Sequence, residues 1–279
     1  MESFLGIFNP VAGGGRGKRL LPGILKRLLE GGVHVQVVPT KGPGDATRIA
    51  RKAYAEGERY FIAMGGDGTS FEVLNGIFPL KSDLATDRPL LGFLPMGTGN
   101  SFLREFTTEG LEYGIRALIE GRQRPCDVIR VRHRDGYLYF LNIFSFGFVA
   151  DVGATRNKRF HGLGEAGYVL GVLKELTGLK KRRFPLRVND TDELDEPATF
   201  ISINNSKFTG GKMMMAPSAD TGDGKADLIH VGEMGRFRLL RAFPKIFKGT
   251  HVRLPNVTAR KVESVDFQFA EEIDVMVDG

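Results

Sequence analysis

Residues 60–77 run Tyr60-Phe61-Ile62-Ala63-Met64-Gly65-Gly66-Asp67-Gly68-Thr69-Ser70-Phe71-Glu72-Val73-Leu74-Asn75-Gly76-Ile77. An apolar run leads into a glycine turn, and Phe71, Val73, Leu74 and Ile77 follow with helical spacing, so the stretch predicts a strand, a tight turn and a helix start. Glycines let the backbone pass close to a ligand and take up positive φ, and free N–H groups at a helix start favour a phosphate. The acid in the middle asks for a second explanation. A carboxylate in a phosphate cradle repels its ligand unless a metal ion or a transferable proton lies between them, so Asp67 points to chemistry as well as binding. The plain alternative is a turn in which Asp67 is the helix N-cap.

The same alternation continues on both sides. Strands are expected at Phe4–Phe8, Val33–Val38 and Leu90–Leu94. Helices are expected along the stripe from Leu20 to Leu29, over Asp45–Ala55, and opening at Ser101–Phe106. Repeated strand–helix units with short apolar strands imply a parallel sheet covered on both faces, which places ligands at the carboxyl ends of its strands. From Cys126 the texture becomes β-rich, with strand-like runs at Val128–Val131, Tyr137–Phe144, Thr199–Ile203, Ala226–Val231, Val262–Phe269 and Ile273–Val277. Val265, Phe267 and Phe269 share one face and Ile273, Val275 and Val277 another, the mark of half-buried antiparallel strands. Helices interrupt at Glu165–Leu176 and Phe237–Phe247, and Asn189–Pro197 looks like a hairpin loop. The expected division is an α/β domain over 1–125 and a β-rich domain over 126–279.

Composition bounds the function. The 279 residues suit about two domains, and 42% hydrophobic with 26% charged residues is ordinary globular composition. The single cysteine, Cys126, excludes an internal disulfide, and the five histidines form no zinc pattern. A cytoplasmic protein is expected. No apolar run approaches the ~18 residues of a membrane span. A net charge of +6 attracts phosphate-rich partners. Without tryptophan or an aromatic-interleaved basic motif, nucleic acid is the weakest of these.

Three glycine loops follow predicted strands and precede predicted helices: Asn9-Pro10-Val11-Ala12-Gly13-Gly14-Gly15-Arg16-Gly17-Lys18, the Gly65 loop, and Pro95-Met96-Gly97-Thr98-Gly99-Asn100. The first is no Walker loop, because Ala12 stands at the leading glycine and Arg19 follows Lys18, and it is no dinucleotide fingerprint either. Three such loops at one sheet edge nevertheless predict a nucleotide site. Hydrolase and protein-kinase signatures are absent. Phosphoryl transfer asks for positioning, a divalent cation and a carboxylate near the attacking oxygen; the candidates are Asp67, Glu72, Asp127, Asp151, Asp223 and Asp278.

At these residues the chain resembles the diacylglycerol kinase catalytic-domain superfamily of lipid kinases, which includes bacterial diacylglycerol kinases, sphingosine kinases and ceramide kinases. The matching set runs through Asn9-Pro10, Thr40, Gly65-Gly66-Asp67-Gly68-Thr69, Glu72-Val73-Leu74-Asn75-Gly76, the Gly97 loop, Asp127, Gly147-Phe148, Ala216-Pro217-Ser218-Ala219, Asp223-Gly224 and Asp278-Gly279. NAD kinases share only the Gly-Gly-Asp-Gly-Thr core. The resemblance implies an N-terminal three-layer α/β domain with a mainly parallel sheet, NAD kinase-like, and a C-terminal β-sandwich domain, with Mg-ATP in the cleft between them. It implies nucleotide contacts from Asn9, Gly13, Gly14 and Arg16, from Thr40, from Gly65, Gly66, Asp67, Gly68, Thr69, Ser70, Phe71 and Glu72, from Gly97, Thr98, Gly99 and Asn100, and from Asp278. Asp67 and Asp127 are the implied catalytic acids, with their roles interchangeable at this point. Phe148 and Asp151 are the implied lipid contacts. Asp220, Asp223 and the carbonyl of Lys225 are the implied ligands of a structural Mg²⁺; the plain reading of that loop is an Asp-Gly turn.

Two departures qualify the resemblance. The family continues Asp-Gly-Glu with a glutamate proposed as catalytic, so a longer form carrying it after Gly279 is expected to be the active one. The segment Phe146–Val152 with Leu163-Gly164-Glu165 is closer to sphingosine and ceramide kinases, yet Gly153 stands where sphingosine kinases carry a head-group acid and Gly167 where they carry an arginine. A neutral acceptor, diacylglycerol or a related glycerolipid, is therefore expected ahead of a sphingoid base. Expected partners are ATP, Mg²⁺ and a lipid at a membrane surface met peripherally, with no nucleic acid and with room for a homodimer. Lys180-Lys181-Arg182-Arg183 is a candidate bilayer contact or a solvated face. An NAD kinase-like enzyme and a nucleotide- and lipid-binding pseudokinase are the competing readings.

Overall fold

The computed structural model describes residues 3–79, 88–160, 163–180, 182–190, 192–267, 269 and 271–278. The chain forms two compact units, Met1–Pro125 with Arg130–Phe140, and Cys126–Ile129 with Leu141–Gly279. Residues Arg130–Phe140, expected within the second domain, group with the first unit.

Unit 1 is built from β1 (Ser3–Phe8), α1 (Arg16–Glu30), β2 (His34–Pro39), α2 (Asp45–Ala55), β3 (Tyr60–Gly65), α3 (Asp67–Ile77), β4 (Leu90–Pro95), α4 (Leu111–Ile119) and the hairpin β5 (Ile129–His133) and β6 (Gly136–Phe140). The first four strands form an all-parallel sheet in the order β2-β1-β3-β4. Alternation along β1 makes the layers: Phe4 and Phe8 pack with Ile24 and Leu28 of α1 and Ile115 of α4, while Leu5 and Ile7 pack with Ala50 and Tyr54 of α2 and Val73 and Ile77 of α3. The expected helix from Ser101 is a short 3₁₀ turn, Phe102–Glu105, and the α-helix starts later, at Leu111. Asn75 explains why the hairpin joins unit 1. Its amide donates to the carbonyl of Tyr139 at 2.8 Å and accepts the N–H of Tyr139 at 2.9 Å, which pins β6 to α3.

Unit 2 contains β7 (Ile143–Gly147), α5 (Phe148–Arg159), α6 (Gly164–Leu176), β8 (Arg182–Arg183), β9 (Leu186–Val188), β10 (Asp192–Leu194), β11 (Pro197–Asn204), β12 (Phe208–Thr209), β13 (Met213–Met214), β14 (Ala226–Gly232), α7 (Arg236–Ala242), β15 (Val257–Val262), β16 (Val265–Phe267) and β17 (Val275–Val277). The main sheet is antiparallel in the order β15-β14-β11-β7-β17, with β8 on β11, and a second sheet runs β10-β9-β16. Alternation along β7 again sets the layers. Phe144 and Phe146 meet Phe267 of the second sheet, and Phe146 also meets Phe184 and Phe269, in edge-on and tilted ring contacts. Ile143 points the other way, into a core with Phe148, Phe200, Ile229 and the helices α5 to α7.

Four readings change. Tyr137–Phe144 is two strands, broken at Leu141-Asn142. Along β17 the buried residue is Met276, while Val275 is 43% exposed, so the apolar alternation there points its valines away from the core. Asn189–Pro197 holds strand β10 after a turn at Asn189 and Asp190, both with positive φ. Phe237–Phe247 is split into α7 and a 3₁₀ turn at Phe243–Lys248.

The break at residues 141–142 has a cause. The carboxylate of Asp278, 4% exposed, accepts the N–H groups of Leu141, Asn142 and Ile143 at 3.1, 2.8 and 3.0 Å. These bonds satisfy buried amides that no strand partner takes up. Asp278→Ala should lower the unfolding free energy by about 3–5 kcal/mol, because it strands those amides in the interior. Urea melts of the two proteins read this directly.

Candidate active site

The carboxyl ends of β1, β3 and β4 bring the three glycine loops together. Asn9 Nδ2 donates to Thr69 Oγ1 at 3.3 Å, joining the first loop to the second. A Cβ on Gly13, whose φ is +57°, would lie 2.3 Å from the carbonyl oxygen of Met96, so only glycine lets the first loop lie against the third. A Cβ on Gly97 would lie 2.6 Å from the Cα of Gly66, so the second and third loops touch backbone to backbone. Gly13, Gly14 and Gly15 all have positive φ. Gly65, Gly66 and Gly68 do not, which corrects the expectation for them: Gly66 has φ −103°, and its glycine is required by close approach.

Asp67 is the first residue of α3 and not its cap, which is Gly66. Its carboxylate reaches across to the third loop, accepting the N–H of Ser101 at 2.9 Å and that of Phe102 at 3.3 Å. It caps the 3₁₀ turn of the neighbouring loop. The N-termini of α1 and α3 themselves carry no side-chain cap, which leaves them suited to an anion. At the junction, Asn100 has φ +51°, donates to the carbonyl of Gly97 at 2.8 Å, and leaves its buried Oδ1 without a partner. Arg16, Gly68 and Thr98 lie exposed at this edge, and Thr40 is tied to it by its N–H to Phe8 O at 2.8 Å. Ser70 and Phe71 sit in the first turns of α3, and Gly99 follows Thr98 in the third loop.

The Glu72 carboxylate is engaged within unit 1. Its two oxygens accept the N–H groups of Gly44 at 2.9 Å and Ala46 at 3.1 Å, capping α2. Gly76 lets α2 and α3 cross closely, since a Cβ there would lie 2.5 Å from that of Ala50. The Glu-Val-Leu-Asn-Gly motif thus serves mainly to assemble α2, α3 and β6. Asp278 is likewise engaged within the fold of unit 2, through the N–H groups of Leu141, Asn142 and Ile143.

In unit 2, Asp127 fastens a loop. Its N–H donates to Thr221 O at 2.7 Å, its Oδ2 accepts the N–H of Gly224 at 2.7 Å, and its carbonyl accepts Asn205 Nδ2 at 2.9 Å. Its Oδ1 has no hydrogen-bond partner among the described residues. The same loop carries the implied metal ligands. Asp220 Oδ1 accepts the N–H of Gly222 at 3.1 Å, and Asp223 Oδ1 that of Lys225 at 3.0 Å. Lys261 Nζ donates to Asp223 Oδ2 and lies 3.4 Å from Asp227 Oδ2. That hydrogen bond holds the Asp223 carboxyl below the usual range. Among the described residues no group of three or more His, Cys, Asp or Glu is placed to hold a metal. The loop as arranged does not fit a divalent cation, because the ammonium of Lys261 already stands against Asp223.

Phe148 lines an apolar cavity of about 70 Å³ between the main sheet and α5 to α7. Asp151 does not line it; its carboxylate is paired with Arg182 at 3.2 Å. Burial pushes the Asp151 carboxyl up, and Arg182 only partly offsets this. The departures from sphingosine kinases also have a structural side. A Cβ at Gly153 would lie 2.8 Å from Met276 Sδ, and one at Gly167 would lie 2.8 Å from the carbonyl of Phe160, so neither position admits a side chain without displacement. Of the basic run, Arg182 serves Asp151, Arg183 pairs with Asp195, Lys180 is exposed, and Lys181 lies outside the described residues.

These features define a two-unit α/β plus β protein with three converging glycine loops in one unit and an apolar cavity in the other. Comparison with known families agrees: residues 3–131 match the diacylglycerol kinase catalytic domain, and residues 142–279 match the YegS C-terminal NAD kinase beta sandwich-like domain. A diacylglycerol kinase of Mycobacterium tuberculosis (strain ATCC 25618 / H37Rv) is 31% identical over 274 residues, covering 97% of this chain and 86% of the relative. One of Bacillus subtilis (strain 168) is 28% identical over 277 residues, covering 98% and 88%. The crystal structure of a diacylglycerol kinase from Bacillus anthracis str. Sterne superposes with a TM-score of 0.72 at 22% identity, covering 100% of this chain and 90% of that one, and shows the shared fold. The chain belongs to the diacylglycerol kinase family of lipid kinases.

Two outcomes check the site. In Asp67→Asn the amide offers one acceptor oxygen where two N–H groups need partners, so hydrogen exchange at Ser101 and Phe102 should speed up by at least about tenfold, with global unfolding little changed. For the Asp223 loop, a carboxyl lowered in the folded state adds stability that is complete above its unfolded pKa and lost as pH falls through the folded one. Lys261→Met should therefore flatten the acid limb of a Tm-against-pH curve, and the parent protein's Tm should be the same in EDTA and in excess MgCl₂.

Proposed function

We propose that this protein is an ATP-dependent kinase that transfers the γ-phosphoryl group of Mg-ATP to the hydroxyl of a neutral lipid, diacylglycerol or a related glycerolipid. The observation that carries the lipid assignment is the apolar cavity, whose walls suit a hydrocarbon chain. The glycine loops supply backbone N–H groups and uncapped helix starts for the nucleotide phosphates. In the reaction the lipid hydroxyl oxygen forms a bond to the γ-phosphorus as the bond to the β,γ-bridging oxygen breaks, and ADP leaves. The hydroxyl proton passes to a carboxylate. The hydrogen bonds favour Asp127 for that role, because its Oδ1 is open, whereas Asp67 is committed to Ser101 and Phe102 and acts by positioning the loops.

The state of Asp151 supports a neutral acceptor. A sphingoid ammonium would need a free carboxylate to offset its desolvation, and here Arg182 already holds that carboxylate.

Access from a bilayer is supported by α7. Leu239 of α7 and Phe243 and Ile246 just beyond it line the cavity, while Phe237, 88% exposed, and Leu240 face outward among Arg236, Arg238 and Arg241. Exposed apolar side chains among cations suit the surface of an anionic membrane. No helix of the described residues is long and apolar enough to cross one.

The test is turnover with labelled ATP against diacylglycerol, ceramide, sphingosine and NAD in mixed micelles. Diacylglycerol should give the highest kcat/KM; a higher value for sphingosine would overturn the acceptor assignment, and transfer to NAD alone the lipid one. Asp127→Asn should lose about 10²–10⁴ in kcat with KM for ATP little changed. Phe237→Glu with Leu240→Glu should cut activity on anionic vesicles at least about tenfold while sparing activity on a detergent-dispersed short-chain diacylglycerol.

A further inference from the structure

The loop that holds Asp127 is itself tied to the main sheet by one lysine. Asp227, in β14 just after that loop, is 1% exposed and accepts the hydroxyl hydrogen of Ser218 on Oδ1. A carboxylate so far from water has to be paired with a cation. The cation comes from the neighbouring strand. Lys261 of β15 stands directly opposite Asp227 of β14, a register that brings Cβ atoms to about 5 Å. Its ammonium lies 3.4 Å from Asp227 Oδ2 and reaches past it to donate to Asp223 Oδ2 in the loop. Lys225, which ends the loop, turns instead to Glu263 at 3.6 Å.

From Asp223 the tie continues to Asp127. Asp223 Oδ1 accepts the N–H of Lys225 at 3.0 Å, which closes a turn around Gly224, and the N–H of Gly224 donates to Asp127 Oδ2 at 2.7 Å. Earlier in the same loop the carbonyl of Thr221 accepts the N–H of Asp127 at 2.7 Å. Asp127 is therefore gripped at its backbone and at one carboxylate oxygen by the segment that Lys261 anchors, and Oδ1 is the oxygen left over. Without the ammonium, Asp223 and Asp227 would repel each other across the space that Nζ fills, and the turn presenting Gly224 would lose its fixed end. The geometry suits an ammonium better than a divalent ion. An ammonium has three hydrogens to donate, whereas a divalent ion gathers six or more oxygens, and Asp220 Oδ1 and Asp223 Oδ1 each face the N–H of a residue two positions on.

We propose that the Lys261 ammonium is the resident cation of this loop, standing in place of a divalent ion, and that it positions Asp127 through Asp223 and Gly224. The proposal rests on the reading of Asp127 as proton acceptor for its catalytic sense. Lys261 is a positioning residue, and any magnesium requirement of the enzyme then belongs to the nucleotide.

The experiment uses the full chain and hydrogen exchange at the Gly224 and Lys225 amides, with turnover measured beside it. In the parent protein the two amides should exchange equally fast in EDTA and in excess CaCl₂. In Lys261→Ala they should exchange at least about tenfold faster. Propylammonium chloride, which restores the deleted part of the side chain with its charge, should bring the rate back to within about threefold of the parent, and propanol, of similar shape but neutral, should not. kcat should fall about tenfold in Lys261→Ala with KM for ATP little changed, and propylammonium should recover it. A Tm measured beside the variant confirms that it is folded, and the parent comparison in EDTA and CaCl₂ needs no variant. Slower exchange in CaCl₂ in the parent overturns the proposal, because a metal ion then enters the loop despite Lys261. So does parent-like exchange in Lys261→Ala, and so does rescue by propanol as complete as by propylammonium, which would reduce Lys261 to packing. Exchange is read without turnover: the expected exchange pattern with kcat unchanged would overturn the reading of Asp127 alone, whereas unchanged exchange in a protein that Asp127→Asn inactivates would overturn this proposal alone.

Discussion

The carboxylate of Asp67 accepts the N–H groups of Ser101 and Phe102, and through those bonds the loop after β3 sets the course of the loop after β4. The rest of the glycine-loop edge depends on that tie. Gly97 is drawn to within backbone contact of Gly66, and Met96 in turn forms the surface against which Gly13 folds. An ionised acceptor shared by two amides suits this use, because charge-assisted hydrogen bonds are roughly twice as strong as neutral ones. The loops are thus held in place by their own backbones before any ligand arrives.

Unit 2 works through the two faces of one antiparallel sheet. Strand alternation sends Phe144 and Phe146 into an aromatic cluster with the second sheet and Ile143 toward the helices. The aromatic side is filled by interlocking rings. The helical side keeps a cavity bordered by residues of α5, α6 and α7. Helix α7 extends this logic outward, walling the cavity with Leu239 and presenting Phe237 and Leu240 to the surroundings.

Local charges are used here to hold segments together. Lys261 stands against Asp223 and Asp227, and Arg182 against Asp151. Each pair joins residues more than thirty positions apart, in loops or at strand ends where the sheet hydrogen bonds give out. The partly exposed Lys261 pair contributes modestly to stability. Its larger effect is on what the Asp220–Lys225 loop can bind, since a resident ammonium competes with any cation.

The parallel sheet, its helices and the three glycine loops were legible in the sequence because each rests on local signals: alternation within six-residue strands, glycine at turns, and the three-to-four spacing of helices. The order Asn9 loop, Gly65 loop, Gly97 loop was enough to predict convergence, and the tertiary structure joins them. The roles of single acids were not legible. Glu72 and Asp278 carry the residue type of a catalytic group, yet one caps α2 and the other gathers the amides at 141–143, and nothing near them in the chain announces either partner. Lys261 passed unremarked for the same reason, and Arg182 was legible only as part of a basic run. A side chain's pattern of neighbours in sequence fixes the face it shows, whereas the acceptor or donor it meets is chosen by segments up to 137 residues away, which only the packed chain brings within hydrogen-bonding reach.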